Sequence, residues 1–424
     1  MRRIITAALA FALLLTLAPP LLADEGALDL AVGDPARREK TVALAIDTLT
    51  DTRTAATLTP AELAQRLSKV RLLFVGESHT SPEFHRVQLQ VLRELSRLGR
   101  KVTVGLEMYP VAEQASLDRW NSGTVSEKDF LETSRWYKNW GYNWGYYRDI
   151  FLFCRDAKIA LHGVNVPREL VSNVRKKGFE GLTPAEKALL PPKIDTTNAE
   201  HRRLFKAFFE GSDSLHSSSM PEAMWEGMFS AQCTWDAAMA WNAVAALEKL
   251  KDPEAIMVVL IGAGHVAYGL GVERQAALWF DGKVASVIPI PVLDDKGKPV
   301  KVRASYADFL WGVPKETDPP YPVLGLSTRD PKEGVEGLPV INVEKESVAE
   351  TAGFKTGDIV LAMDGTPAKD KETVNRLMAE KRWSDTAAYR VKRGEETLTL
   401  TARFARTLPQ PVKAEAKKEG AATK

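Results

Sequence analysis

The chain has 424 residues, 45% of them hydrophobic and 26% charged, the composition of a folded protein of about two or three domains and not of a disordered or fibrous one. Lys and Arg number 57 against 55 Asp and Glu, so a net charge of +2 draws the chain to neither nucleic acid nor anionic lipid. Nucleic acid is set aside as a partner.

Arg2 and Arg3 precede an apolar run from Ile4 to Leu17, which Pro19 and Pro20 end, and Leu21-Leu22-Ala23 closes on a small residue. That layout predicts a secretory signal peptide over 1–23, cleaved before Asp24. The run is shorter than the roughly 20 residues a membrane span needs. With no cysteine at the cleavage point and no second long apolar stretch, the mature chain is expected to be soluble and exported, to the periplasm or beyond. Cys154 and Cys233, the only cysteines, lie in apolar helical sequence without ligand spacing. Two buried thiols and one disulfide fit equally.

Ala61–Leu67 reads as a helix started by Thr59-Pro60, and Arg71–Val75 as a short buried strand closed by Gly76. Ser81 can cap the next helix with Pro82 in its first turn, and apolar periodicity carries it to Gly99. Lys101–Leu106 is a second strand, so the unit is strand–helix–strand and parallel. An aromatic run from Trp136 to Tyr147 leads into a helix over Arg148–Lys158 and a third strand over Ile159–Val164. Helices fill Glu169–Lys251 around a polar break at Gly211–Ser219, and Ala255–Ile261 is a fourth buried strand. Val284–Val292 is expected near a sheet edge because of its prolines. Pro314, Pro319, Pro320 and Pro322 mark a linker, and the charged tail 409–424 reads as disordered.

Four polar clusters follow the four strands: Gly76-Glu77-Ser78-His79, Glu107, Asn165 with Arg168, and Gly262-Ala263-Gly264-His265. In an open parallel sheet, ligands bind at the carboxyl ends of the strands. Glycine lets the backbone turn sharply and approach a ligand, and histidine supplies a nitrogen ligand or a base near neutral pH. Two His and two carboxylates (Glu77, His79, Glu107 and His265) suit a divalent metal with an open position, or metal-free acid/base hydrolysis. His85 and Gln88 share a helix face that points either to the site or to solvent. His162 reads as a satisfied core residue, and His201 and His216 as solvated. The aromatic run is either core or a flat apolar wall for a planar ligand such as haem, with a tyrosinate such as Tyr268 as an axial ligand.

These residues carry a resemblance. Leu73–His79 with His85–Leu89, Leu106-Glu107-Met108, Asn165–Arg168 and Gly262–Val272 together resemble the ChaN family of the haem-binding-uptake/Tiki superfamily, over roughly residues 40–290. The resemblance implies an α/β fold, a mostly parallel sheet with flanking helices and a helical insert, over 24–312. It implies haem or iron binding outside the cytoplasm, with His79, His85, Gln88, Asn165, Arg168, His265 and Tyr268 as cofactor-binding candidates. ChaN-like proteins are commonly lipoproteins, and this chain lacks the lipidated cysteine. The wider superfamily holds metal-dependent proteases with paired Gly-x-x-His motifs, and erythromycin esterases are more distant relatives.

Beyond the linker, Val340–Val343, a short helix over Ser347–Gly353 and the string Lys355–Pro367 resemble a PDZ domain of the protease-associated bacterial type, a small β-rich α+β fold over 320–406. Val323-Leu324-Gly325-Leu326 matches its carboxylate-binding loop, with Val323 where glycine is common, and Thr373–Met378 matches its groove helix. The leading expectation is an exported haem- or iron-binding protein with a peptide-binding module. The rival is a metal-dependent hydrolase, a Tiki-like peptidase or esterase that recruits substrates through its PDZ domain. A peptide adaptor with a vestigial crevice is the third. Expected partners are haem or a divalent metal ion, protein C-termini or extended peptides, and a second copy of the chain.

Overall fold

A computed structural model describes residues 25–210, 221–316, 319–331, 334 and 336–406. The expected signal peptide, the expected break at Gly211–Ser219 with His216, and the tail 409–424 lie outside the described residues. The chain parts into two compact units between Pro319 and Pro320. Among the described residues no helix is long and apolar enough to cross a membrane.

The first unit is built on an eight-stranded sheet. Its strands are β1 (Leu49–Asp51), β2 (Ala56–Leu58), β3 (Leu72–Glu77), β4 (Val102–Pro110), β5 (Leu161–Asn165), β6 (Ile256–Gly262), β7 (Val284–Pro291) and β8 (Phe309–Val313). They lie in the order β2-β1-β8-β7-β3-β6-β4-β5. From β8 to β5 every neighbouring pair is parallel, and the β1–β2 hairpin adds antiparallel pairs beyond β8. Every residue of β3 and β6 is buried, as expected of central parallel strands covered on both faces. Their register sets Glu77 against Gly262 and Leu106 of β4 against Leu260, which brings the ends of the three strands to one edge.

The strand over Val284–Pro291 is central, not marginal. Val292 N donates to Val313 O of β8 at 3.0 Å, so even-numbered amides face β8. Pairing with β3 stops at Val287, so the amides that Pro289 and Pro291 lack would face no strand. The prolines record the end of one ladder, not the edge of the sheet.

Helices α1 (Pro60–Arg66), α2 (Pro82–Arg97), α3 (Arg148–Asp156), α4 (Arg168–Lys177), α5 (Ala199–Glu210) and α6 (Glu222–Lys249) cover the sheet. Thr59 and Glu62 form a reciprocal capping box at α1. Ser81 stands at the cap of α2 without a side-chain cap bond, and Pro82 alone starts that helix. The 28-residue α6 packs on α4 and β5 and buries Met239, Ala243 and Leu247 against Met257 and Val259.

The second unit is an antiparallel sheet of β9 (Leu326–Thr328), β10 (Leu338–Val343), β11 (Ile359–Met363), β12 (Thr386–Arg393) and β13 (Glu396–Arg403), in that order, with a short strand over Thr366–Pro367 beside β11. Helices α7 (Val348–Ala352) and α8 (Lys371–Ala379) complete it. Asp364 and Gly365 both take positive φ, 47° and 79°, the backbone that a two-residue hairpin turn requires. Asp358, 1% exposed, accepts from Arg393 at 2.7 and 2.8 Å and from Lys355 N at 2.9 Å. Among the described residues β9 pairs only with β10, which leaves its outer edge without a strand.

Candidate functional site

The first Gly-x-x-His loop leaves β3. At Gly76 an added Cβ would stand 3.2 Å from Ala263 Cα, so a small residue lets this loop pack on the second one. Glu77, 2% exposed, is held from three sides. Its Oε1 accepts from His79 Nδ1 at 2.7 Å and from Tyr147 OH at 2.6 Å, and its Oε2 accepts from Gln88 Nε2 at 2.7 Å. Burial alone would raise this carboxyl, but the charge of His85 and the bonds from His79 and Tyr147 outweigh it and hold it near 2. His85 lies inside, with Nδ1 2.9 Å from Gln88 Oε1 and Nε2 3.2 Å from His79 O. Of its two readings, the structure takes the buried one.

The second loop leaves β6. Gly262 N donates to Glu107 Oε2 at 2.6 Å, and an added Cβ there would come within 3.2 Å of His79 Cε1 and 3.6 Å of Glu107 Oε2. His265 presents Nε2 to Glu107 Oε1 at 3.5 Å, while its Nδ1 donates to Asp236 Oδ1 of α6 at 2.5 Å. Both histidines therefore have Nδ1 fastened to a buried carboxylate, and both rings converge on Glu107. Their side chains keep 18% and 14% exposure, whereas those of Glu77 and Asp236 have none, so the crevice opens on the imidazole side.

The electrostatics follow from that geometry. Burial would discharge His265, but its bonds to Asp236 and Glu107 overcome this and push it up to about 10. His79 is raised by Glu77 and Glu107 against the same desolvation. Glu107 is lowered by His265 and His79 although burial opposes it. The raised histidines and the lowered Glu107 stabilise one another's charged forms. Among the described residues, no group of three or more His, Cys, Asp or Glu is arranged to hold a metal ion.

Other expected site residues land elsewhere. Asn165 donates to Glu107 O at 2.8 Å and accepts from Val166 N at 2.8 Å, so it shapes the backbone beneath the site. Arg168 is exposed and donates to Asn139 O at 2.9 Å, on the side where its charge acts on Tyr142. Tyr268 turns away: its hydroxyl donates to Ala27 O at 2.8 Å and accepts from Leu30 N at 3.0 Å. It ties down the N-terminal segment and is not available as an axial ligand. The aromatic run is largely core, with Trp136 packed edge-on against Trp144 and Tyr147. Only Trp140 and Tyr142 flank His79, at ring-centroid distances of 4.7 and 5.0 Å.

His201 is not solvated but 2% exposed, with Arg274 Nη2 3.1 Å from its Nδ1. His162 is only half-buried, and its Nε2 has no hydrogen-bond partner among the described residues, so the expected satisfied core residue is neither. Cys154 and Cys233 are buried free thiols. Asp236, Gln232 and Tyr147 were not singled out by sequence. The signal for Asp236 was present: one acid inside an apolar helix is a buried charge that needs partners.

In the second unit, Gly325 has φ +73°, and an added Cβ would stand 2.3 Å from Ser347 Cβ. Ala349 N donates to Leu324 O at 2.8 Å and Glu344 N to Gly325 O at 3.0 Å, which pins the Val323–Leu326 loop to the domain. Leu324 is buried, and Val323 is 53% exposed.

Comparison with known proteins agrees with this architecture. Residues 63–275 match the model described as haem-binding uptake, Tiki superfamily, ChaN, and residues 322–403 match the PDZ domain model. The chain is similar to HhoA of Synechocystis sp., a serine protease by name, with 32% identity over 71 residues that cover 17% of this chain and 18% of that one. The chain thus spans less than a fifth of the length of that curated relative. Among solved structures it is similar to ChaN of Campylobacter jejuni, described as binding haem cofacially, at 19% identity and TM-score 0.48 over 62% of this chain and 95% of that one. It is also similar to the HtrA3 PDZ domain bound to a phage-derived ligand, at 20% identity and TM-score 0.18 over 19% and 83%. With the first model spanning half of its length, the chain belongs to the ChaN family of the haem-binding-uptake, Tiki superfamily and carries a PDZ domain behind that fold.

Proposed function

We propose that this chain is an exported haem- or iron-binding protein whose PDZ module takes extended peptides. The observation that carries the reading, beside family membership, is the pair of histidines fastened at Nδ1 to Glu77 and Asp236, with their free faces on one crevice. A haem site needs a ligand atom, an apolar wall and a cation for the propionates. His79 and His265 would supply ligand nitrogens at Nε2 once that atom gives up its proton, Trp140 and Tyr142 the wall beside His79, and Arg168 the cation. Gly262 leaves the space that a Cβ would fill beside His79. Bound there, haem would supply a redox-active iron, and the protein's part is to orient the rings and restrict water. For the second unit, the open edge of β9 supports addition of a peptide as a further strand, with the Leu324–Leu326 region setting the end-residue preference.

The test is haem titration of the purified mature protein. A saturable Soret band that His79→Ala and His265→Ala each weaken supports the reading. A second reading, acid/base hydrolysis, is favoured by the Asp236–His265–Glu107 alignment, which resembles an oriented acid/base group. No Soret band, together with peptide or ester cleavage that His265→Ala abolishes, would replace the first reading by the second. Retention of Met1–Ala23 in protein from its native compartment would remove the export claim.

A further inference from the structure

We propose that Asp236 is a positioning residue for His265, with His201 facing its other oxygen at 3.5 Å and Arg274 fixing the His201 tautomer. Its consequence for ligand binding rests on the haem-binding reading, but its geometry does not.

The chain starts at Asp195, whose carboxylate and carbonyl both hold the Arg274 guanidinium. Arg274 Nη2 can only donate, so His201 Nδ1, 3.1 Å away, accepts, and the His201 proton sits on Nε2. Burial lowers His201 to about 4, which keeps the ring neutral and preserves that tautomer at neutral pH. His201 Nε2 then faces Asp236 Oδ2 at 3.5 Å, while Asp236 Oδ1 accepts from His265 Nδ1 at 2.5 Å. Gln232, one turn earlier on α6, donates from Nε2 to Asp236 Oδ1 at 3.3 Å; that Nε2 also lies 2.9 Å from His265 Nδ1, which takes no bond from it while its own proton goes to Asp236.

Asp236 has no exposed surface, and a buried carboxylate is tolerated only where partners offset its lost hydration. Its Oδ2 makes no full hydrogen bond, so His265 is its dominant partner. The backbone is shaped to the same end. At Gly271 an added Cβ would lie 2.1 Å from His265 O and 3.2 Å from Asp236 Oδ2, so glycine there lets the histidine loop close on α6. With Nδ1 held, the ring cannot flip, and Nε2 stays on the crevice side toward Glu107.

The experiment is nitrogen-15 NMR of the histidine rings in the ligand-free mature protein, together with haem titration of variants. The expected wild-type result at pH 7 is a His265 ring that carries a proton on Nδ1, shifted far downfield by Asp236. A neutral His265 carrying its proton on Nε2 alone would overturn the proposal without any variant. Asp236→Asn should remove the downfield proton, move the Soret maximum and weaken haem binding about 10- to 100-fold, with circular dichroism unchanged. Wild-type haem affinity and spectrum in a folded Asp236→Asn protein would overturn it equally. If that variant does not fold, the wild-type spectrum decides, and His201→Gln, which keeps a donor near Oδ2, should shift the His265 signals by less than His201→Ala does. If the wild-type protein binds no haem, the haem reading fails while the ring signals still judge this one.

Discussion

Tyr147 and His79 converge on a single oxygen: the Tyr147 hydroxyl and His79 Nδ1 stand 2.6 and 2.7 Å from Glu77 Oε1. Tyr147 is fully buried, and its phenol is held protonated by burial and by the Glu77 charge. Tyr147→Phe removes the donor and keeps the ring that packs edge-on against Trp136. Loss of one buried charge-assisted bond should cost about 1–3 kcal/mol in denaturant unfolding. Haem binding should weaken as well, since His79 loses the fixed carboxylate that orients it. Wild-type stability would show that Glu77 finds a substitute donor.

Much of this was legible in the chain, for identifiable reasons. β3 and β6 are apolar runs that end in Gly-x-x-His, so strand, turn and polar tip are written consecutively. The convergence of His79 and His265 on Glu107 follows from parallel register, which the strand–helix–strand order already implies. What could not be read is pairing across the sequence. Asp236 lies 29 residues from His265, and nothing local marks it as that ring's partner. Tyr268 misled because spacing cannot show that the backbone at φ 63° sends the phenol toward Ala27. The β7 prolines misled because edge and ladder end have the same local signature.

The glycines separate site geometry from fold. Gly262→Ala puts a Cβ 3.2 Å from the His79 ring, whose side chain can yield by a few tenths of an ångström. Haem affinity should fall while thermal stability changes little. Gly271→Ala puts its Cβ 2.1 Å from the His265 carbonyl, which is backbone, so the loop itself must move. That overpacking should cost about 1–3 kcal/mol or more. Parallel melting curves and haem titrations on the two variants check the contrast.

The ligand-free protein should be most stable between about pH 4.5 and 6.5. His265 is raised from 6.5 to about 10, so its contribution is complete below 6.5 and is lost as pH rises toward 10. Glu77 is lowered from 4.5 to about 2, so its contribution is complete above 4.5 and is lost as pH falls toward 2. His201, lowered from 6.5 to about 4, adds to the acid loss below 6.5. Glu273, raised by burial and by Asp308, opposes it above 4.5 and adds to the alkaline loss. Denaturant unfolding at a series of pH values should trace this profile, and His265→Gln should flatten its alkaline limb. A maximum above pH 9 would contradict the assignment.

The last prediction concerns Gly325. Its φ of +73° is a conformation L side chains rarely adopt, and an added Cβ would lie 2.3 Å from Ser347 Cβ and 2.8 Å from Ser347 Oγ. Ser347 caps α7 by accepting from Glu350 N at 3.1 Å, so the clash reaches the cap as well as the loop. Gly325→Val should therefore shift the Val323–Leu326 backbone, cost about 1–3 kcal/mol in strain, and lower peptide affinity at least tenfold. Val323→Ser is the companion variant. Val323 is 53% exposed, so the change should leave stability within about 0.5 kcal/mol and affinity within a few-fold. Fluorescence polarisation with a labelled peptide ending in an apolar residue, run on both variants at a temperature where each is folded, reads the difference. Equal binding by Gly325→Val and wild type would move the peptide away from this loop and from the open edge of β9.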